Sequence, residues 1–245
     1  MSTFTLDGKA IPFREGETVM QAALDAGTYI PHLCFRPGYD PHGSCKVCTV
    51  SIDGRNAASC TTRARENMVV HSATPELVDM RRALVEMLFA EGNHTCPACE
   101  KSGDCELQAV GYHVGMDHSR FDLLFPARDL DASHPDVLLD RNRCILCDLC
   151  VRASRDIDGK RVFAIAGRGI RARLVVNSAS GRLGDTNLAV TDAAARVCPV
   201  GAILPKRRAY QVPLGRRTFD LKPIAEVAVT EARRVKEQQT EPQDG

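Results

Sequence analysis

The chain has 245 residues, 32 basic and 31 acidic, for a formal net charge of +1. That balance supplies no global field to draw it to nucleic acid or a membrane surface, and its longest apolar stretch, 83–90, is interrupted by Glu86 and too short to span a bilayer. The length allows one large domain or two to three small ones, and with no Trp and 5% aromatic residues small cores that need an additional staple are expected.

The first segment, 1–79, reads as a small mixed domain. Thr3-Phe4-Thr5-Leu6 alternates like a strand and runs into an Asp7-Gly8 turn, with no secretory leader pattern. A helix is expected from about Thr18 to Ala26, stopped by Gly27. Val50–Ile52, the Asp53-Gly54 turn and Ala57-Ala58 read as a hairpin, and Met68–His71 as a last strand. A second helix is expected over 76–92, with Leu77, Met80, Leu84, Met87 and Leu88 on its apolar stripe and Gly92 at its end. Segment 80–119 carries that helix into a cysteine-rich stretch, 120–210 forms a further unit, and 211–245 is an extension. From Glu231 the tail is charged, Gln-rich and contains Pro242, so it is expected to be disordered or dependent on a partner.

Eleven cysteines fall into three sets. Cys34, Cys45, Cys48 and Cys60 have the spacing Cys-x10-Cys-x2-Cys-x11-Cys. A loop carrying a close Cys-x2-Cys pair, with a remote fourth ligand, is the plant-type 2Fe–2S arrangement, here with a longer first gap and a shorter last one. Four cysteines also suit zinc, although zinc sites favour two close pairs. Cys96, Cys99 and Cys105 form the second set, and three thiolates leave one iron of a 4Fe–4S cubane without a ligand. His94 lies just ahead of them, either as the fourth ligand or as a hydrogen-bond donor outside the ligand set. Cys144, Cys147 and Cys150 make the Cys-x2-Cys-x2-Cys run of bacterial ferredoxins. The position where a two-cluster ferredoxin has its next cysteine is Ser154, so the distant Cys198-Pro199 is expected to supply the fourth ligand of this 4Fe–4S site. With His94, the eleven cysteines fill three four-ligand sites, and none is left for a further metal centre. Metal-bound thiolates in a reducing cytoplasm fit this better than disulfides.

Other signals are weaker. Gly167-Arg168-Gly169-Ile170-Arg171-Ala172 matches a dinucleotide fingerprint, but Arg173–Val176 looks like a strand where a helix is required, so a hairpin is expected. The basic run Arg141, Arg143, Arg152, Arg155, Lys160 and Arg161 reads as a solvated or docking face. No catalytic site stands out.

Taken in order, the cysteine sets resemble the N-terminal part of the large iron–sulfur subunit of respiratory complex I. They are still closer to the small diaphorase iron–sulfur subunit of NAD-reducing nickel–iron hydrogenases. The resemblance covers about residues 3–210 and is most specific in Phe89-Ala90-Glu91-Gly92-Asn93-His94 through Cys105-Glu106-Leu107-Gln108, with support from Asp117-His118-Ser119-Arg120-Phe121 and Cys198-Pro199-Val200-Gly201. The respiratory pattern has three residues between histidine and first cysteine; this chain has one, as hydrogenase-type subunits do.

The resemblance implies an α+β chain: a β-grasp, plant-type ferredoxin-like domain, a helical His/Cys segment and a bacterial-ferredoxin-like domain. It implies a non-catalytic electron-transfer subunit of a hydrogen:NAD oxidoreductase, with FMN and NAD on a diaphorase subunit and the nickel–iron site on hydrogenase small and large subunits. Two alternatives stand beside it: the equivalent subunit of an NAD-linked formate dehydrogenase or split complex I, and a zinc-stabilised interaction protein.

Overall fold

Two Asp-Gly pairs shape the first sheet. Asp7 and Gly8, and likewise Asp53 and Gly54, have positive φ, the geometry of tight hairpin turns whose twist matches that of the paired strands. The computed structural model describes residues 2–240 and shows a mixed α and β chain. In order come β1 (Ser2–Leu6), β2 (Lys9–Phe13), α1 (Val19–Asp25), β3 (Thr49–Ile52), β4 (Arg55–Ala58), β5 (Val69–His71), α2 (Pro75–Glu91) and α3 (Glu106–His113). They are followed by β6 (Leu130–Asp131), β7 (Val137–Asp140), α4 (Leu149–Arg152), β8 (Phe163–Ala166), β9 (Arg173–Val176), α5 (Ala193–Arg196), β10 (Ile203–Pro205), α6 (Thr218–Leu221) and α7 (Ile224–Thr240). No helix among the described residues is long and apolar enough to cross a membrane.

The chain divides into two units. The first holds the residues up to Val85, Val110–Met116 and those from Lys222 onward; the second holds Glu86–Ala109 and Asp117–Leu221.

In the first unit the sheet order is β2-β1-β5-β3-β4. β1 and β5 are parallel and the other pairs antiparallel. Inward residues Phe4, Leu6, Ile11, Val50 and Val70 pack with Val19, Met20 and Ala23 of α1 in one core. Thr18 caps α1 by accepting from the Gln21 N–H at 3.2 Å, and Gln21 Oε1 accepts from the Thr18 N–H at 2.9 Å, a reciprocal cap that contributes about 1 kcal/mol. Gly27 follows with φ +75°.

The tail departs from its expected disorder. Ile224–Thr240 is one helix that packs on α1, with Ala232 buried in the core and Ala228 and Val229 against it. Glu231 pairs with Arg36 at 2.9 Å, and Lys236 pairs with Asp25. Small apolar residues at helical spacing let α7 come close, while its charges find partners on a distant part of the chain. Pro242 lies outside the described residues.

α2 forms as expected, but with a different buried stripe. Leu77, Arg81, Val85, Glu86 and Ala90 are buried, whereas Met87 is 39% exposed. Arg81, 3% exposed, donates to the carbonyls of Val47, Thr49 and Ser72 and to Ser72 Oγ. These loop carbonyls turn a charged side chain inward that sequence periodicity assigns to solvent.

In the second unit β10, β7 and β6 form an antiparallel sheet and β8 and β9 a hairpin. The hairpin confirms that Gly167-x-Gly is a turn: Gly167 has φ +81°, and a Cβ there would lie 2.2 Å from the Arg171 carbonyl. Glu86, 1% exposed, accepts from Arg120 at 2.7 Å.

Arg81→Met would leave buried carbonyls without donors. It is expected to lower stability by at least about 3 kcal/mol, measured by urea unfolding of the anaerobic protein, with Arg82→Met as the milder comparison.

Candidate metal centres

The first set is built by the loop after α1 and by the β3–β4 hairpin. Cys34, Cys48 and Cys60 are buried and Cys45 is half-buried. Gly38, Gly43 and Lys46 take positive φ in the loop that carries the close pair. The Cys48 carbonyl accepts from Ser59 Oγ at 2.8 Å and from the Ser59 N–H at 3.1 Å, tying the pair to the turn that presents Cys60. Arg81 holds the carbonyls of Val47 and Thr49, on either side of Cys48, at 3.1 and 2.8 Å. The Cys48 and Cys60 sulfurs are 3.3 Å apart and hydrogen-bonded. Hydrogen bonds within the set hold the Cys34 thiol well below its usual range, chiefly through Cys45, and Cys48 at about 7 through Cys60. The same bonds push Cys45 and Cys60 well above it. Four sulfurs that share protons so closely form a donor set suited to metal once those protons leave.

In the second set Cys96 begins a short 3-10 turn, and the Cys99 N–H donates back to the Cys96 carbonyl at 3.2 Å. Cys105 is buried at the start of α3. Burial pushes its thiol up to about 12, against the opposing pull of the Gln108 and Leu107 N–H groups. Burial also raises Cys96, with a further contribution from Cys99.

His94 lies with its ring 5.4 Å from Phe89. Its Nε2 is buried and has no hydrogen-bond partner. Burial, then Arg143 and Arg128, depress its pKa to about 4, so the imidazole is neutral near neutral pH. A neutral ring with an unpartnered, buried nitrogen fits a metal ligand. Gly92 leaves room for it, because a Cβ there would lie 2.4 Å from Nε2.

The third set is gathered around one small cavity, lined by Cys144, Cys147, Cys150 and Cys198 with Leu146, Ile165, Leu174, Val200 and Ile203. Leu146 and Asp148 take positive φ between the cysteines and let the chain wrap. Cys198 follows α5, whose first N–H groups, on Ala193 and Ala194, donate to the Asp158 carboxylate at 2.9 Å each. Burial pushes Cys144 to about 11 and raises Cys150 further, with Cys147, Cys144 and Cys198 adding to the latter. Ser154 is committed elsewhere: its Oγ accepts from the Val162 N–H at 2.7 Å. A thiolate in such surroundings requires a compensating cation, which fits the set to metal. Among the described residues no three His, Cys, Asp or Glu side chains converge on a single-ion position.

The second and third sets are stitched together. The Glu106 N–H, next to Cys105, donates to the Pro199 carbonyl, next to Cys198, at 2.8 Å. Arg143 precedes Cys144 in sequence and donates to the Cys99 sulfur at 3.6 Å. The basic run is therefore a solvated face only in part: Arg155 and Arg161 are exposed, and the others turn toward the protein. Arg152 is buried, Arg141 donates to the Leu174 carbonyl, and Lys160 pairs with Asp192 at 2.7 Å. Sequence reasoning missed Arg81 and left Arg143 among the basic run, since neither carries a spacing signal that points to the cysteines.

Three family models match the chain: a 2Fe-2S iron-sulfur cluster binding domain over residues 1–75, the NADH-ubiquinone oxidoreductase-G iron-sulfur binding region over 81–120, and a 4Fe-4S single cluster domain over 137–204. The NAD-reducing hydrogenase HoxS subunit gamma of Cupriavidus necator is 45% identical over 221 residues, covering 90% of this chain and 94% of that one. The mitochondrial NADH-ubiquinone oxidoreductase 78 kDa subunit of Candida albicans is 30% identical over 93% of this chain, which spans only 31% of its length. Among solved structures, a chain in the crystal structure of NAD+-reducing NiFe-hydrogenase in the H2-reduced state matches with 55% identity and a TM-score of 0.91, covering 94% of this chain and 98% of that one. With relatedness over nearly the full length of both chains, this protein belongs to the family of the HoxS gamma subunit of NAD-reducing hydrogenase.

Proposed function

We propose that this chain is the electron-relay subunit of a cytoplasmic hydrogen:NAD oxidoreductase and carries no active site itself. Cys34, Cys45, Cys48 and Cys60 hold a 2Fe–2S cluster; His94, Cys96, Cys99 and Cys105 hold one 4Fe–4S cluster; Cys144, Cys147, Cys150 and Cys198 hold the other. When bound, such clusters accept and pass on single electrons. The chain's own contribution is to fix the ligands, exclude water from the sulfurs and set the charge around them. The order β2-β1-β5-β3-β4 with α1 packed on it supports a β-grasp reading of 1–79. In the same reading 80–119 is the His/Cys segment, 120–210 is ferredoxin-like and 211–245 is an extension.

The observation that carries the proposal is the cavity where Cys198 joins Cys144, Cys147 and Cys150, a four-sulfur set drawn from two distant parts of the chain. The hydrogen bond from Glu106 to Pro199 supports passage between the second and third centres. The partners in this reading are a flavin-containing diaphorase subunit that exchanges electrons with NAD, and hydrogenase small and large subunits with the nickel–iron site; similarity to a subunit of NAD-reducing hydrogenase supports it. A match over nearly the whole of the hydrogenase subunit, against a third of the respiratory one, favours hydrogenase over a formate dehydrogenase or split complex I.

Anaerobic purification with its partners, followed by assay of hydrogen-dependent NAD reduction, tests this reading. The chain is expected to be brown and to hold about ten irons and ten sulfides by the cluster types assigned. Zinc without iron, or reduction of NAD by formate alone, would overturn it.

Cys198→Ser is expected to abolish the third cluster's low-temperature EPR signal and leave the first intact, because the Ser154 hydroxyl is already engaged by Val162. An unchanged third signal would assign the fourth ligand to another residue.

His94→Cys is expected to keep the second cluster at a lower potential, since an anionic thiolate replaces a neutral imidazole and added negative charge disfavours reduction. His94→Ala should make that cluster labile. A redox titration with no shift in the first variant, together with full stability in the second, would remove His94 from the ligand set.

A further inference from the structure

Arg143 occupies an unusual place in the second unit. It directly precedes Cys144, a residue of the third set, yet its guanidinium reaches the second set, where Nη1 donates to Cys99 Sγ at 3.6 Å. Two carboxylates fix the fork. Nη1 donates to Glu100 Oε2 at 2.5 Å, and Nε pairs with Asp140 Oδ2 at 3.0 Å. Nη1 carries two hydrogens, so it can serve the carboxylate and the sulfur together. The side chain is 20% exposed, so solvent screens it only in part.

Gly201 supplies an independent observation. A Cβ at this glycine would lie 3.1 Å from Cys99 Sγ and 3.2 Å from Arg143 Nη1. Gly201 is not among the residues with positive φ, so its backbone conformation does not call for glycine. What the missing side chain provides is room for the guanidinium and the sulfur to meet.

We propose that Arg143 is a positioning residue that raises the reduction potential of the second centre by donating to the Cys99 sulfur through the gap left by Gly201. The proposal rests on the reading that Cys96, Cys99 and Cys105 hold a cluster. Reduction adds negative charge that is shared with the thiolate sulfurs, and a cationic donor on one of them stabilises that state more than the oxidised one. Glu100 and Asp140 hold the donor in place, so the effect depends on the directed N–H as well as on the charge. Lysine can keep the charge but not the two-carboxylate fork.

The test is an EPR-monitored redox titration of the anaerobically reconstituted full chain, comparing wild type with Arg143→Gln, Arg143→Lys and Gly201→Ala. Arg143→Gln is expected to lower the second centre's midpoint potential and leave the first unchanged. Arg143→Lys should fall between wild type and Arg143→Gln, and Gly201→Ala should shift in the same direction by displacing the fork. If the second cluster fails to assemble in Arg143→Gln, Arg143→Lys decides: a lowered potential supports the proposal, and one equal to or above wild type overturns it. An unshifted Arg143→Gln, or a larger shift at the third centre than at the second, overturns the proposal while leaving the cluster assignment standing. Absence of the second signal from wild type overturns the assignment and this proposal together.

Discussion

A sulfur anion removed from water must find positive charge, and the rest of this chain is arranged around that requirement. Burial first, then the neighbouring cysteines, drives the thiols of Cys105, Cys144 and Cys150 upward, so these positions favour neutral thiols until a cation arrives. The backbone supplies part of the compensation: N–H groups at Leu107 and Gln108 reach Cys105, and that of Leu146 reaches Cys144. Left-handed residues between the ligands make such wrapping possible, with Leu146 and Asp148 inside the third set. For the second and third sets, any metal bound by these thiols would be thermodynamically linked to folding.

A second theme is the inward arginine. Arg81 spans carbonyls on both sides of Cys48, and the buried Arg152 donates to the Cys147 carbonyl. Loops that bend around a cluster leave carbonyls facing the interior, where an unpaired acceptor is costly. A planar fork with five donors can satisfy several of them at once. Few large aromatic cores are needed where such brackets and inorganic staples share the task.

The iron–sulfur family of the chain was legible because cysteine spacing is a local property. The Asp-Gly hairpins, the stop of α1 at Gly27 and the strand after Gly167 could be read for the same reason. Cys198 could be assigned to the third set because it is followed by Pro199, as the displaced ferredoxin cysteine would be, while Ser154 stands at the nearer position. The failures are non-local. Periodicity placed Met80, Leu84 and Met87 on the buried face of α2, but it could not foresee that the carbonyls of Val47 and Thr49 would draw Arg81 inward. Charge, glutamine content and Pro242 marked the tail from Glu231 as disordered or dependent on a partner, but its partners Arg36 and Asp25 lie far back in the same chain. Arg143 was grouped with surface charges because nothing near it in sequence points to the sulfur of Cys99.

The pairing of Arg36 with Glu231 joins residues 195 positions apart, which gives the first centre a timetable. At synthesis rates of roughly 5–20 residues per second, the loop bearing Cys34 emerges about 10–40 s before the helix that packs on α1. Most of that interval follows the emergence of Cys60 and β5, so the sheet and all four cysteines of the set are present while the flank of α1 later covered by α7 stands open. The loop that carries Arg36 and Gly38 thus stays uncovered on the ribosome until the chain's own last described helix closes over it.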